Sequence, residues 1–194
     1  MRTPHVVGIG GTTRPGSSTE RALRYALAVC EQQGATTTCF AGAELAALPH
    51  YAPEDPTRSD GALHLIEEVR RADGIVIASP GYHGSVAGLV KNAIDYAEDC
   101  RDDERCYLTG RAVGLIATGA GWQGVVTTLE ALRSIVHSLR GWPTPMGVAI
   151  NSTIQDLGSG PGIDDDKARL QLETMAGEVM EFVKVRQAGF QPAG

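Results

Sequence analysis

His5-Val6-Val7-Gly8-Ile9-Gly10-Gly11-Thr12-Thr13-Arg14-Pro15-Gly16-Ser17-Ser18-Thr19 begins as an apolar run and passes into a loop of glycines, hydroxyls and one arginine. Residues 5–10 read as a short buried parallel strand. A helix predicted over 18–33 follows, with Leu23, Leu27 and Cys30 on one face and Ser18 or Thr19 as its N-cap. A loop of this kind points backbone N–H groups and the positive end of a helix macrodipole at an anion. Arg14 can add charge-assisted bonds, so the stretch suits a phosphate monoester.

Working outward, helical and strand periods alternate. Thr36 to Phe40 is β-branched and predicts strand two, and a Pro-rich passage from Leu48 to Pro56 suits neither regular form. Helices are predicted from Asp60 to Ala72, Val86 to Glu98, Gln123 to Leu139 and about Asp164 to Val185. Strands three, four and five are predicted at Gly74–Ala78, Arg111–Thr118 and Met146–Asn151. Five continuous apolar strands separated by helices imply a parallel sheet covered on both faces. Right-handed crossovers and the strand count favour a flavodoxin-like doubly wound α/β order, 2-1-3-4-5, with ligands bound at the switch point between strands one and three.

Two more loops leave strands at that edge. Ser79-Pro80-Gly81-Tyr82-His83-Gly84-Ser85 offers a fixed turn and a flat Tyr, which suits a planar ring. Thr118-Gly119-Ala120-Gly121-Trp122-Gln123-Gly124 has glycines that let backbone amides approach a ring closely. A phosphate at one wall and a planar ring at the others describe FMN. A Rossmann dinucleotide loop is the competing reading of Gly8-x-Gly10, but position 13 is Thr where that fingerprint needs its third glycine.

These residues resemble the NAD(P)H-dependent FMN reductase family. Its phosphate-loop pattern, Gly-Ser-x-Arg-x-x-Ser-x-Asn/Thr, is similar to residues 11–19. Its second pattern, Pro-x-Tyr-x-x-Ser-x-x-Gly-x-x-Lys-Asn-x-x-Asp, is similar to residues 80–95. The resemblance runs from Val6 to about Val183. It implies a flavodoxin-like fold, with Thr12, Arg14, Ser17, Ser18 and Thr19 on the phosphate. Pro80, Gly81, Tyr82, His83 and Gly84, beside Ser85, line the isoalloxazine, and Thr118, Gly119, Ala120 and Gly121 complete the site. It further implies hydride transfer from NAD(P)H to FMN, with free flavin or a small oxidant such as a quinone as acceptor. If FMN is released, a flavin-dependent monooxygenase is the expected recipient. Two positions depart from the family pattern. Ala120 stands where the family often has a second glycine, and Gly81 replaces a larger residue, which predicts a more open ring edge. A non-enzymatic flavodoxin-like electron carrier is the alternative function.

The 194 residues suit one flavodoxin-like domain over 1–194, with a short flexible tail from about residue 187. A formal charge of −6 argues against a nucleic-acid partner, no apolar run reaches membrane-spanning length, and no leader pattern opens the chain, so the expected location is cytoplasmic. Cys30, Cys39, Cys100 and Cys106 lack paired spacing; the first two read as core residues, and no metal site is expected. Lys91 and Asp95, at i and i+4, read as a helix-surface ion pair or a subunit contact rather than as catalysts. Val125, Leu129, Leu132, Val136 and Leu139 form a seam that Val126 and Ile135 broaden. That width predicts a homodimer or homotetramer, with Trp122 near the flavin of another chain.

Overall fold

The computed structural model describes residues 2–189. Strands β1 (His5–Gly10), β2 (Thr36–Phe40), β3 (Gly74–Tyr82), β5 (Ala112–Gly119) and β6 (Trp142–Asn151) pair in parallel in the order β2-β1-β3-β5-β6. These are the five expected strands in the flavodoxin-like order. A sixth, β4 (Ser85–Val86), pairs antiparallel with the end of β3.

Helices cover both faces, because strands apolar on both sides must be sheathed twice. On one face α1 (Ser18–Gln32) and α6 (Asp166–Ala188) bury Leu23, Leu27, Leu172, Met175 and Val179 against Val6, Val76 and Ile116. On the other, α3 (Asp60–Arg71), α4 (Gly88–Asp95) and α5 (Trp122–Ser138) bury Leu65, Val90, Leu132 and Val136 against Val7, Ile75 and Leu115. Cys30 lies in the first core, as its helical spacing predicts. No helix among the described residues is long and apolar enough to cross a membrane.

Several boundaries differ from the sequence reading. Strand β3 continues past Ala78 to Tyr82, so half of the second loop is strand. It closes onto β4 through Gly81↔Val86 and Tyr82↔Ser85. His83 and Gly84 make the turn with φ of 53° and 79°, the left-handed pair that a two-residue type I′ connection requires. Val86 is therefore strand, and the helix predicted from it starts at Gly88 and passes into a 3-10 turn over Tyr96–Cys100. Helix α2 (Gly42–Ala46) was not apparent from the sequence. Strand β6 starts at Trp142 because Pro143 and Pro145 sit on an edge strand, where a missing N–H costs no ladder bond. The N-cap of α1 is Ser17, whose side chain accepts from Glu20 N at 3.3 Å, and neither Ser18 nor Thr19 takes that role. Helix α6 runs to Ala188, past the start expected for the tail near residue 187; the rest of that expectation falls on residues 190–194, which lie outside the described residues.

Candidate functional site

The carboxyl ends of β1, β3 and β5 open onto a cleft of about 320 Å³. Thr12, Arg14, Ser17, Ser18 and Thr19 from the β1–α1 loop form one end. Pro80, Gly81, Tyr82 and His83 from the β3–β4 turn, with Thr118, Gly119 and Ala120 after β5, form the rest. Gly84, Ser85 and Gly121 do not line it. Gly84 and Ser85 are carried away by the hairpin turn, and Gly121 is spent as the N-cap of α5.

The β1–α1 loop is held by its own groups. Arg14 N donates to Thr12 Oγ1 at 3.2 Å, Ser17 N donates to Arg14 O at 3.3 Å, and Gly16 N donates to Glu20 Oε2 at 3.1 Å. Glu20 also pairs with Arg24 at 2.8 Å. The Arg14 guanidinium is exposed and has no hydrogen-bond partner among the described residues. A cation held at a helix N-terminus with no protein partner is poised for an external anion.

Beneath this loop, the Thr19 and Thr118 hydroxyls meet at 2.6 Å, both buried. They tie α1 to the end of β5, so the first and third loops are fixed to each other. Ser79, fully buried, accepts from Ala87 N at 3.0 Å and donates to Pro80 O at 3.0 Å, which locks the second loop. Tyr82 is 59% exposed beside the cleft, with a face open for stacking.

Gly81 does not open the ring edge. A Cβ there would meet Gly124 O and Thr128 Oγ1 at 2.9 Å, so its missing side chain is a close approach to α5 and adds no room to the cleft. Thr128 Oγ1 is engaged with Gly124 O at 2.7 Å, leaving little slack. Ser152, which sequence reasoning missed, also lines the cleft. It follows β6, and its N–H and hydroxyl both donate to Gly119 O, at 2.8 and 3.1 Å. A single serine after a strand carries no motif; only the pairing of β6 with β5 brings it there.

Cysteine chemistry has no part in this arrangement. Burial pushes the Cys30 thiol up to about 12 and those of Cys39 and Cys100 up to about 11, which keeps them protonated. Lys91 and Asp95 form the expected surface ion pair, away from the cleft. The donor set fits FMN: hydroxyls and a free guanidinium at one end, an aromatic face and close backbone at the other, in a cleft of ordinary ligand-pocket size.

A family model described as NADPH-dependent FMN reductase matches residues 4–155. An NAD(P)H-dependent FMN reductase of Pseudomonas aeruginosa is 30% identical over 166 residues, covering 84% of this chain and 86% of that one. An FMN-dependent NADPH-azoreductase of Staphylococcus haemolyticus is 34% identical over 121 residues, 60% of each chain, so this chain spans about 60% of the azoreductase's length. Among solved structures, the flavoenzyme NAD(P)H:acceptor oxidoreductase FerB of Paracoccus denitrificans superposes with a TM-score of 0.76 at 19% identity, covering 93% of this chain and 97% of that one. A flavodoxin of Streptococcus pneumoniae superposes at 0.60 and 15% identity, covering 91% and 98%. The structural likenesses show the fold.

Proposed function

This chain belongs to the NADPH-dependent FMN reductase family, and we propose that it is an oxidoreductase that takes hydride from NAD(P)H onto FMN and passes electrons to free flavin or a small acceptor such as a quinone. The observation that carries this reading is one cleft that joins Arg14, unpartnered among the described residues, and a set of hydroxyls to the open face of Tyr82. FMN supplies the redox chemistry when bound; the protein binds and orients it.

In this reading Arg14, Ser17, Ser18 and Thr12 hold the phosphate, with Thr19 and Thr118 fixing the loop that carries them. Tyr82 and Pro80 face the ring, and the backbone of Gly119 and Ala120 approaches its polar edge. Reduction of the flavin by hydride needs no protein acid or base, so the absence of a His–carboxylate dyad among the residues lining the cleft is in keeping with the chemistry. If the reduced flavin is released, it would carry its two electrons to a flavin-dependent monooxygenase, and free thiols suit a cytoplasmic location.

The working unit in this reading is a dimer or tetramer. Trp122 and Val126 are 43% and 47% exposed on α5 near the cleft mouth, where a second copy would cover them beside Tyr82. Light scattering is expected to give a multiple of the 20.4 kDa chain mass.

The test is a flavin titration followed by steady-state NAD(P)H oxidation with flavin and quinone acceptors. FMN binding with continuous NAD(P)H consumption by the purified chain supports the reading. FMN binding without turnover points to the flavodoxin-like carrier, and no FMN binding removes both.

A further inference from the structure

Each of the three loops that wall the cleft has a main-chain carbonyl covered by a hydroxyl. In the β1–α1 loop, Thr12 Oγ1 donates to Arg14 O at 3.3 Å, and Ser17 N donates to the same oxygen. At the end of β3, Ser79 Oγ donates to Pro80 O at 3.0 Å. After β5, Gly119 O accepts twice from Ser152, from its N–H at 2.8 Å and from its hydroxyl at 3.1 Å. Arg14, Pro80 and Gly119 all line the cleft.

These bonds set the sign of the site. A bare carbonyl presents the negative end of its dipole, whereas one that accepts from a hydroxyl has a lone pair covered by a positive hydrogen. Thr118 Oγ1, another acceptor at the ring end, is taken up by Thr19 at 2.6 Å. Left without partners among the described residues are two donors, the Arg14 guanidinium and the Ala120 N–H. No Asp or Glu is among the residues that line the cleft, and Glu20, one turn into α1, is tied to Gly16 N and Arg24. Both ends of the cleft therefore favour negative charge.

We infer that Ser79 and Ser152 are positioning residues that tune the bound flavin: by covering Pro80 O and Gly119 O, they make the ring end favour the reduced, more negative ring over the oxidised one. The inference rests on the flavin reading of this cleft. Hydride carries two electrons and one proton from NAD(P)H to the ring and leaves NAD(P)+ behind, so the ring gains one unit of negative charge. Fixed donors stabilise charge that develops in the reaction, and uncovered carbonyls oppose it. The same preference retains the reduced flavin, so a small acceptor must come to the cleft for its electrons, in place of reduced flavin leaving.

The test compares dissociation constants for oxidised and for dithionite-reduced FMN, measured on the full chain by anaerobic equilibrium dialysis. The native chain is expected to bind the reduced form more tightly. Ser152→Ala removes the hydroxyl and keeps the bond from the N–H of residue 152. It is expected to cut the preference about threefold, which lowers the two-electron midpoint potential by about 15 mV. Ser152→Thr, which keeps a hydroxyl, is expected to keep the preference. Ser79→Ala is expected to shift the ratio in the same direction, with an added loss of stability because Ala87 N loses its buried acceptor. A role confined to loop structure would weaken both forms together and leave the ratio where it was. That result in Ser152→Ala, or a native chain that binds oxidised FMN more tightly, overturns the inference and leaves the flavin reading standing. A chain that binds neither form overturns the flavin reading, and the inference with it.

Discussion

The two ends of the sheet use charge in opposite ways. At the carboxyl end Arg14 is exposed and unpartnered among the described residues, and hydroxyls line an open cleft. At the amino end the charges are buried and engaged. Arg111 is 1% exposed and donates to Ala72 O at 3.1 Å, Tyr107 O at 3.0 Å and Arg70 O at 2.7 Å. His5, also buried, sits between Thr36 Oγ1 and Glu68 Oε2, each at 2.9 Å, and Glu68 pairs in turn with Arg71. Burial pulls the Arg111 guanidinium down to about 10, the mark of a cation held by carbonyl dipoles without a close carboxylate. One end spends its polar groups on joining the chain; the other keeps them for a ligand.

The comparison can be broken by exchanging effects between the ends. Arg111→Ala removes a fully buried side chain and takes the donor from Tyr107 O and Arg70 O, while Ala72 O keeps Arg105. It is expected to cost about 3–5 kcal/mol in urea unfolding with FMN affinity of the folded fraction unchanged. Arg14→Ala is expected to do the reverse. FMN should weaken roughly 10–100-fold by equilibrium dialysis, riboflavin should be nearly unaffected, and the urea midpoint should not move. Equal losses for the two flavins would take Arg14 off the phosphate.

Smaller effects sharpen the picture. Tyr82→Ala is expected to weaken FMN and riboflavin alike by several-fold, since both share the ring and an aromatic contact is worth about 0.5–1.5 kcal/mol. A loss confined to FMN would place Tyr82 at the phosphate end. The smallest effect concerns Asp99, whose carboxyl is held below its usual range by hydrogen bonds from Arg58, at 2.6 and 2.9 Å. A lowered folded-state value means that the stabilisation is complete above the ordinary carboxylate range. It is lost as pH falls through the folded value. In acid titrations Arg58→Met should remove a pH-dependent increment of about 1 kcal/mol or less, because the pair is partly exposed.

The sequence carried the alternation, the five parallel strands and their order, because continuous apolar runs and 3.6-residue stripes are local signals of burial on two faces or one. It also carried Arg14, Tyr82 and most of the cleft, since a glycine- and hydroxyl-rich loop between strand and helix has a chemistry readable on its own. It could not place Gly84, Ser85 and Gly121 off the cleft. Whether a loop residue faces a ligand depends on the hairpin register Tyr82↔Ser85 and on where α5 begins. Gly81 looked like added room and is instead a contact with α5, a neighbour more than forty positions away.

What the sequence determined by itself is therefore the layered α/β plan and the kind of ligand its loops suit, because both follow from residue type and short-range period. The tertiary structure alone decided that Ser152 reaches the cleft and that Arg111 is a buried strut. Both depend on which distant backbone groups come within about 3 Å of a side chain, the reach of a hydrogen bond, and no local pattern encodes that distance.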